Sequence, residues 1–152
     1  MQRRQPGFAV VIAGFMLAIA LAIGPAGIAQ AASVTATPKT EYVPAISTTV
    51  NFWATVSDYD GGYIMGEVSA DNTLATGWMG VAVNLYQSTG WACASMSMTY
   101  NATSAAYLGP RQIYPSAPCG SQNYYASSSA DIWTGGYYEN FNGNLTPNLY
   151  WS

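Results

Sequence analysis

The chain has no histidine, two cysteines and few charges: among 152 residues there are four lysines and arginines and seven acids. Each shortage removes a class of chemistry. Without histidine there can be no Ser-His-Asp triad, no Cys-His pair and no His-ligated zinc. Four bases cannot form the cationic surface that binds nucleic-acid phosphates, so no nucleic-acid partner is expected. Serine is plentiful, but it needs a base to become a nucleophile, and none is at hand. Two thiols without histidine or neighbouring acids make a poor metal site. The composition therefore points away from an enzyme and implies no metal and no cofactor. What the chain does have is aromatic surface: twelve tyrosines and five tryptophans, with 14% of all residues aromatic.

The one long apolar run lies at the N-terminus. Arg3 and Arg4 precede an apolar stretch from Phe8 to Ile23, which Gly24-Pro25 breaks. Ala29-Gln30-Ala31 then offers the small residues of a signal-peptidase site. Residues 1–31 thus read as a cleaved signal peptide, and the protein is expected to be secreted and extracellular, with no membrane span in the mature chain. An uncleaved anchor is the competing reading, but the run is short for a comfortable span. Cleavage would leave Lys39 and Arg111 as the only bases against all seven acids. In an oxidising compartment Cys93 and Cys119 should form one disulfide.

Beyond residue 31 no segment keeps a helical period, and the apolar spacing is two. Val50, Phe52, Ala54 and Val56 alternate with Asn51, Thr55 and Ser57, with Trp53 on the second face, and Met79, Val81, Val83 and Leu85 alternate with Gly80, Ala82, Asn84 and Tyr86. Asp58 to Gly62, Ala70 to Thr73, Ser88-Thr89-Gly90 and Asn101 to Ser104 read as turns. Ala92, Ala94, Met96 and Met98 form one face of a further strand, which would turn Cys93 away from them, so the disulfide is expected across an outer face or an edge. Residues 109–130 read as loop-rich because of their prolines and the serines at 127–129. The predicted fold is all-β: a small β-sandwich of about six to eight short antiparallel strands, with a small β-barrel as the alternative. Residues 32–48 would be an extended N-terminal arm and residues 49–152 a single β domain.

Among the acids, Asp58, Asp60, Glu67 and Asp71 invite comparison with a calcium loop, but Gly62 stands where a third ligand should be. Glu67 and Glu139 are the only glutamates that suggest a glycosidase pair, and nothing in the sequence brings them together. The aromatic residues are more informative. Flat rings cover the apolar faces of sugars, while amides and hydroxyls bond their edges, and such sites need no charge. Much of this aromatic surface must fill a small β core. Trp133, Tyr137, Tyr138, Asn140 and Phe141 have glycine and asparagine neighbours, and they are the residues expected to be exposed and to bind ligand. The expected function is a non-catalytic binding module for a neutral glycan or cell-wall polymer. The alternative partner is another secreted protein. Pro110, Arg111 and Gln112 would then form an interaction loop, as in a protease inhibitor, or the chain would belong to a toxin or bacteriocin-like system. Asn101-Ala102-Thr103 and Asn144-Leu145-Thr146 are glycosylation sequons.

Overall fold

A computed structural model of the chain describes residues 32–114 and 116–152, so the expected signal peptide, residues 1–31, lies outside the described residues. The described residues are all-β and form two antiparallel sheets. The first sheet contains β1 (Ser33–Thr35), β2 (Lys39–Val43), β3 (Thr48–Ser57), β4 (Tyr63–Leu74), β7 (Ala105–Leu108) and β8 (Arg111–Ile113). The second contains β5 (Met79–Gln87), β6 (Ala92–Tyr100), β9 (Gln122–Trp133), β10 (Tyr138–Leu145) and β11 (Leu149–Trp151). In the first sheet β1 and β2 share one edge of β3, and β7 and β8 share the far edge of β4. In the second, β10 and β11 share one edge of β9, which pairs on its other side with β5, and β5 with β6. Among the described residues neither sheet closes into a barrel, and no helix is long and apolar enough to cross a membrane.

Alternation explains how the sheets meet. Val50 and Phe52 of β3 and Val68 of β4 bury against Met79 and Val81 of β5 and Ala130 and Ile132 of β9. Ala54, Val56 and Ile64 bury against Val83, Leu85, Tyr124 and Ala126 in a second cluster, which Trp151 completes. This burial of inner faces is the main force holding the two sheets together. Between the clusters the sheets approach closely at Gly66, where a Cβ would lie 3.0 Å from Val81 Cγ2 and 3.2 Å from the Ala82 carbonyl oxygen.

Several expectations are corrected. There are eleven strands among the described residues, more than the six to eight expected. Residues 32–48, expected as an extended arm, supply β1 and β2 of the first sheet, and a 3-10 turn at Pro44–Ile46 leads from β2 into β3. Ala70 to Thr73 does not turn the chain: β4 continues to Leu74, with an irregularity between Ser69 and Leu74. The stretch expected to be loop-rich holds β9, the strand between β5 and β10. Its inner row is Tyr124, Ala126, Ser128, Ala130 and Ile132. Ser128 occupies a core position, and that hid the alternation.

Cys93 and Cys119 do form a disulfide, with Cα atoms 5.7 Å apart. It lies at an edge, since β6 is the outermost strand of the second sheet, but Cys93 is not turned away from its neighbours as strict alternation would have it. Leu85 pairs with Ala94 and Tyr86 with Ala92, so Cys93 is the extra residue of a β-bulge. The bulge breaks strict alternation, and Cys93 packs with Ala94 and Met96 against the second core cluster. Asn101 is also not a surface sequon. It is buried, its Oδ1 accepts from the Met79 amide, and its Nδ2 donates to the carbonyls of Leu74, Ala75 and Thr103. It closes the β4–β5 connection onto the end of β6. Asn144 of the second sequon is exposed and donates to the Thr37 carbonyl.

Candidate functional site

The outer face of the second sheet gathers most of the residues expected to bind ligand. On β10 alternation leaves Tyr138, Asn140 and Asn142 exposed and turns Glu139, Phe141 and Gly143 inward. Trp133 pairs with Tyr138 across the β9–β10 hairpin, and their rings meet edge-to-face at 5.0 Å. The turn is closed by the Thr134 amide and hydroxyl, both donating to the Tyr137 carbonyl, with Gly135 at φ 98°. That positive φ suits glycine, and it leaves Tyr137 64% exposed at the tip. Tyr138 is fixed from below, since its hydroxyl donates to the Gly77 carbonyl at 2.7 Å.

Asn140 faces Asp131 of β9 and donates to its Oδ1 at 2.6 Å. The other oxygen, Oδ2, accepts from the Tyr100 hydroxyl at 2.8 Å. Tyr100 reaches Asp131 by crossing β5 at Gly80, where a Cβ would lie 2.7 Å from the Tyr100 ring. Gly80 is therefore the place where the sheet lets a ring lie flat on its backbone. Tyr100 also touches Tyr138, with centroids 5.1 Å apart. Burial and the bond to Asp131 push the Tyr100 phenol up to about 12. The result is an ordered cluster of Trp133, Tyr138 and Tyr100 around one carboxylate whose two oxygens are both engaged.

Phe141 is not part of this surface. It packs against the first core cluster, 6.2 Å from Phe52. Its glycine and asparagine neighbours suggested exposure, but its place on the inner row of β10 decides otherwise. Asn84 and Tyr86 of β5 share the outer face of the second sheet. Asn123 and Tyr124 point to opposite faces, and Tyr124 is fully buried with its hydroxyl between Cys119 and Gly120.

Three residues of this cluster's support, Tyr100, Asp131 and Gly80, were missed from sequence. So was a second pair: Tyr86 and Tyr125 stack at 5.2 Å with 17° between planes. The available signal was the outer row of β9, Tyr125, Ser127, Ser129, Asp131 and Trp133, which only emerges once the serine run is taken as strand.

Arg111 lies elsewhere. With Gln112 it belongs to β8 and pairs with β4, so the expected free loop at Pro110, Arg111 and Gln112 is partly strand. Its guanidinium lies 4.1 Å over the Tyr63 ring and 3.9 Å from Asp60. Glu67 and Glu139 sit on different sheets, and both oxygens of Glu67 are taken, by Trp53 Nε1 at 2.6 Å and by the Tyr107 hydroxyl. Among the described residues no three acids or thiols converge as metal ligands, and no enclosed pocket opens.

No known protein family, curated protein or solved structure matches this chain.

The site must therefore be read by its chemistry alone. It is a flat surface with exposed rings, amides and hydroxyls. Its one carboxylate, Asp131, is already bonded, and no base lies on the second sheet. Such a surface can cover an apolar ligand face and bond hydroxyl groups at its rim.

Proposed function

We propose that this is a secreted, non-catalytic binding module of β-sandwich architecture that recognises a neutral glycan or cell-wall polymer. The observation that carries the reading is the ordered Trp133–Tyr138–Tyr100 cluster on an open sheet face, with Asn140 and Asp131 beside it. The rings are held by hydrogen bonds and by Gly80, so little side-chain freedom is lost on binding. A neutral ligand fits a surface with no base and a single engaged acid. Tyr137 at the hairpin tip would extend the contact, and Phe141 supports it from the core side. The disulfide and the N-terminal apolar run agree with an extracellular setting.

The test is retention of the oxidised protein on cellulose, chitin, xylan and intact cell walls at several salt concentrations. Retention on one polymer, insensitive to salt and lost in Trp133→Ala or Tyr137→Ala, is the expected result. Retention that vanishes with salt, or survives both substitutions, defeats the reading. Capture of a secreted protein in place of any polymer would favour the protein-partner alternative.

A further inference from the structure

We propose that the ligand is a long linear polymer lying along β9, held at both ends of the second sheet's outer face. This rests on the glycan reading above and extends it from one ring cluster to a complete track.

The second end is built as deliberately as the first. Tyr86 of β5 and Tyr125 of β9 are direct cross-strand partners, and their rings stack. On the other side of β9, Tyr150 of β11 pairs with Asn123 and is 58% exposed. Tyr150 is thus a diagonal neighbour of Tyr125, within reach for side chains of this length. Three rings, Tyr86, Tyr125 and Tyr150, therefore share the outer face where β9 begins, and the Trp133 cluster lies where it ends.

Between the ends the outer row changes character. β9 offers Ser127 and Ser129, β5 offers Ala82 and Asn84, and β10 offers Asn142 and, opposite Ser127, the 59% exposed Leu145. No lysine, arginine or ring of these strands stands in that stretch. β9 runs from Tyr125 to Trp133 with unbroken alternation, and at about 3.3 Å per residue the two ring groups are roughly 26 Å apart. A ligand that used both would have to be extended and several sugar units long. Low rows of hydroxyl and amide groups suit the edges of sugar rings, and rings at both ends suit their faces. Both bases of residues 32–152, Lys39 and Arg111, lie on the first sheet, so nothing on this track favours an anionic polymer over a neutral one.

The experiment uses the oxidised protein with cello-, xylo- and chito-oligosaccharides of two to eight units, together with the matching polymers. Affinity should rise steeply once the oligosaccharide is long enough to touch both ends. Tyr125→Ala should weaken binding of the longest oligosaccharide by about tenfold, the loss of one stacked ring, and weaken binding of the trimer several-fold less. Trp133→Ala should weaken both. Ser127→Tyr, which raises a ring in the middle of the track, should also weaken chiefly the long ligands, and it reports on the track without removing any packed ring. If Tyr125→Ala and Ser127→Tyr bind the polymer like the parent while Trp133→Ala does not, the site has one end and the track is refuted, with the glycan reading intact. If the parent binds none of these ligands, both readings fall.

Discussion

The C-terminal strand is expected to hold the fold closed through one ring and one glycine. Trp151 is 2% exposed and packs edge-to-face on Tyr124 at 5.6 Å and on Tyr114 at 6.2 Å. It lies directly on Gly62, where a Cβ would fall 1.8 Å from Trp151 Cζ2. Gly62 also has φ 88° and ψ 146°, a region essentially open only to glycine, which costs a residue with a Cβ about 1–3 kcal/mol. Gly62→Ala should therefore carry two penalties: the backbone strain, and displacement of the indole from its site. Removing the indole outright, in Trp151→Ala, should cost about 3–5 kcal/mol, as for other buried large aromatics. At about 4 °C per kcal/mol for a domain of this size, that lowers Tm by roughly 12–20 °C. The informative comparison is the double variant. With the indole gone, Gly62→Ala should cost only the strain, so the two changes should be less than additive by about 1–2 kcal/mol. Urea melts followed by near-ultraviolet circular dichroism measure all three. Strict additivity, or a Gly62→Ala cost below about 1 kcal/mol, would show that Trp151 does not rest on Gly62 as described.

The Tyr100 and Tyr107 phenols, each pushed up to about 12, should ionise later than ordinary tyrosines. For Tyr100 burial acts first and the Asp131 bond second; for Tyr107 the Glu67 bond leads. Because the folded-state value is raised, their stabilising contribution is complete below the ordinary tyrosine range and is lost as pH rises through about 12. Phenolate absorbance should show a late phase that shrinks in Tyr100→Phe and in Tyr107→Phe; a single early wave would contradict it. Reduction of Cys93–Cys119, whose sequence separation is 26, should cost about 3–4 kcal/mol in an equilibrium melt, as chain entropy predicts. Ser128 Oγ is buried without a hydrogen-bond partner among the described residues, so Ser128→Ala should leave stability unchanged or raise it by about 1 kcal/mol. Material folded and secreted by a glycosylating host should carry no glycan at Asn101, whose amide is fully engaged in the interior, and mass mapping that finds one there would refute that placement.

The parts of the fold that were legible are those whose inner rows are strongly apolar. Val50, Phe52, Ala54 and Val56 of β3 and Met79 to Leu85 of β5 announce themselves, and both strands form as read. β9 was hidden by the crowding that it relieves. A Cβ at Gly143 would meet Ser128 Oγ at 2.5 Å and Phe52 at 3.4 Å, so β10 and the phenylalanine leave little room at this point of the inner row. Small residues are needed there, and small residues in series look like a loop. Bulges are equally silent, since nothing local announces that Cys93 is an extra residue. The candidate site divides the same way. Trp133, Tyr138 and Asn140 are joined by a short hairpin and could be grouped from sequence. Tyr100 on Gly80, and Tyr86 on Tyr125, depend on register between strands far apart in the chain. The same reasoning says where selection for binding has room to act. β9 is hydrogen-bonded along both edges, by β5 on one side and by β10 and β11 on the other, so its backbone is satisfied whatever its outer side chains are. Its inner row is dictated by packing, whereas its outer row is released from that demand. A row that reads Tyr125, Ser127, Ser129, Asp131, Trp133, with rings only toward its ends, is not a pattern that packing requires, and this is why the outer row of β9 is the place to begin mutating.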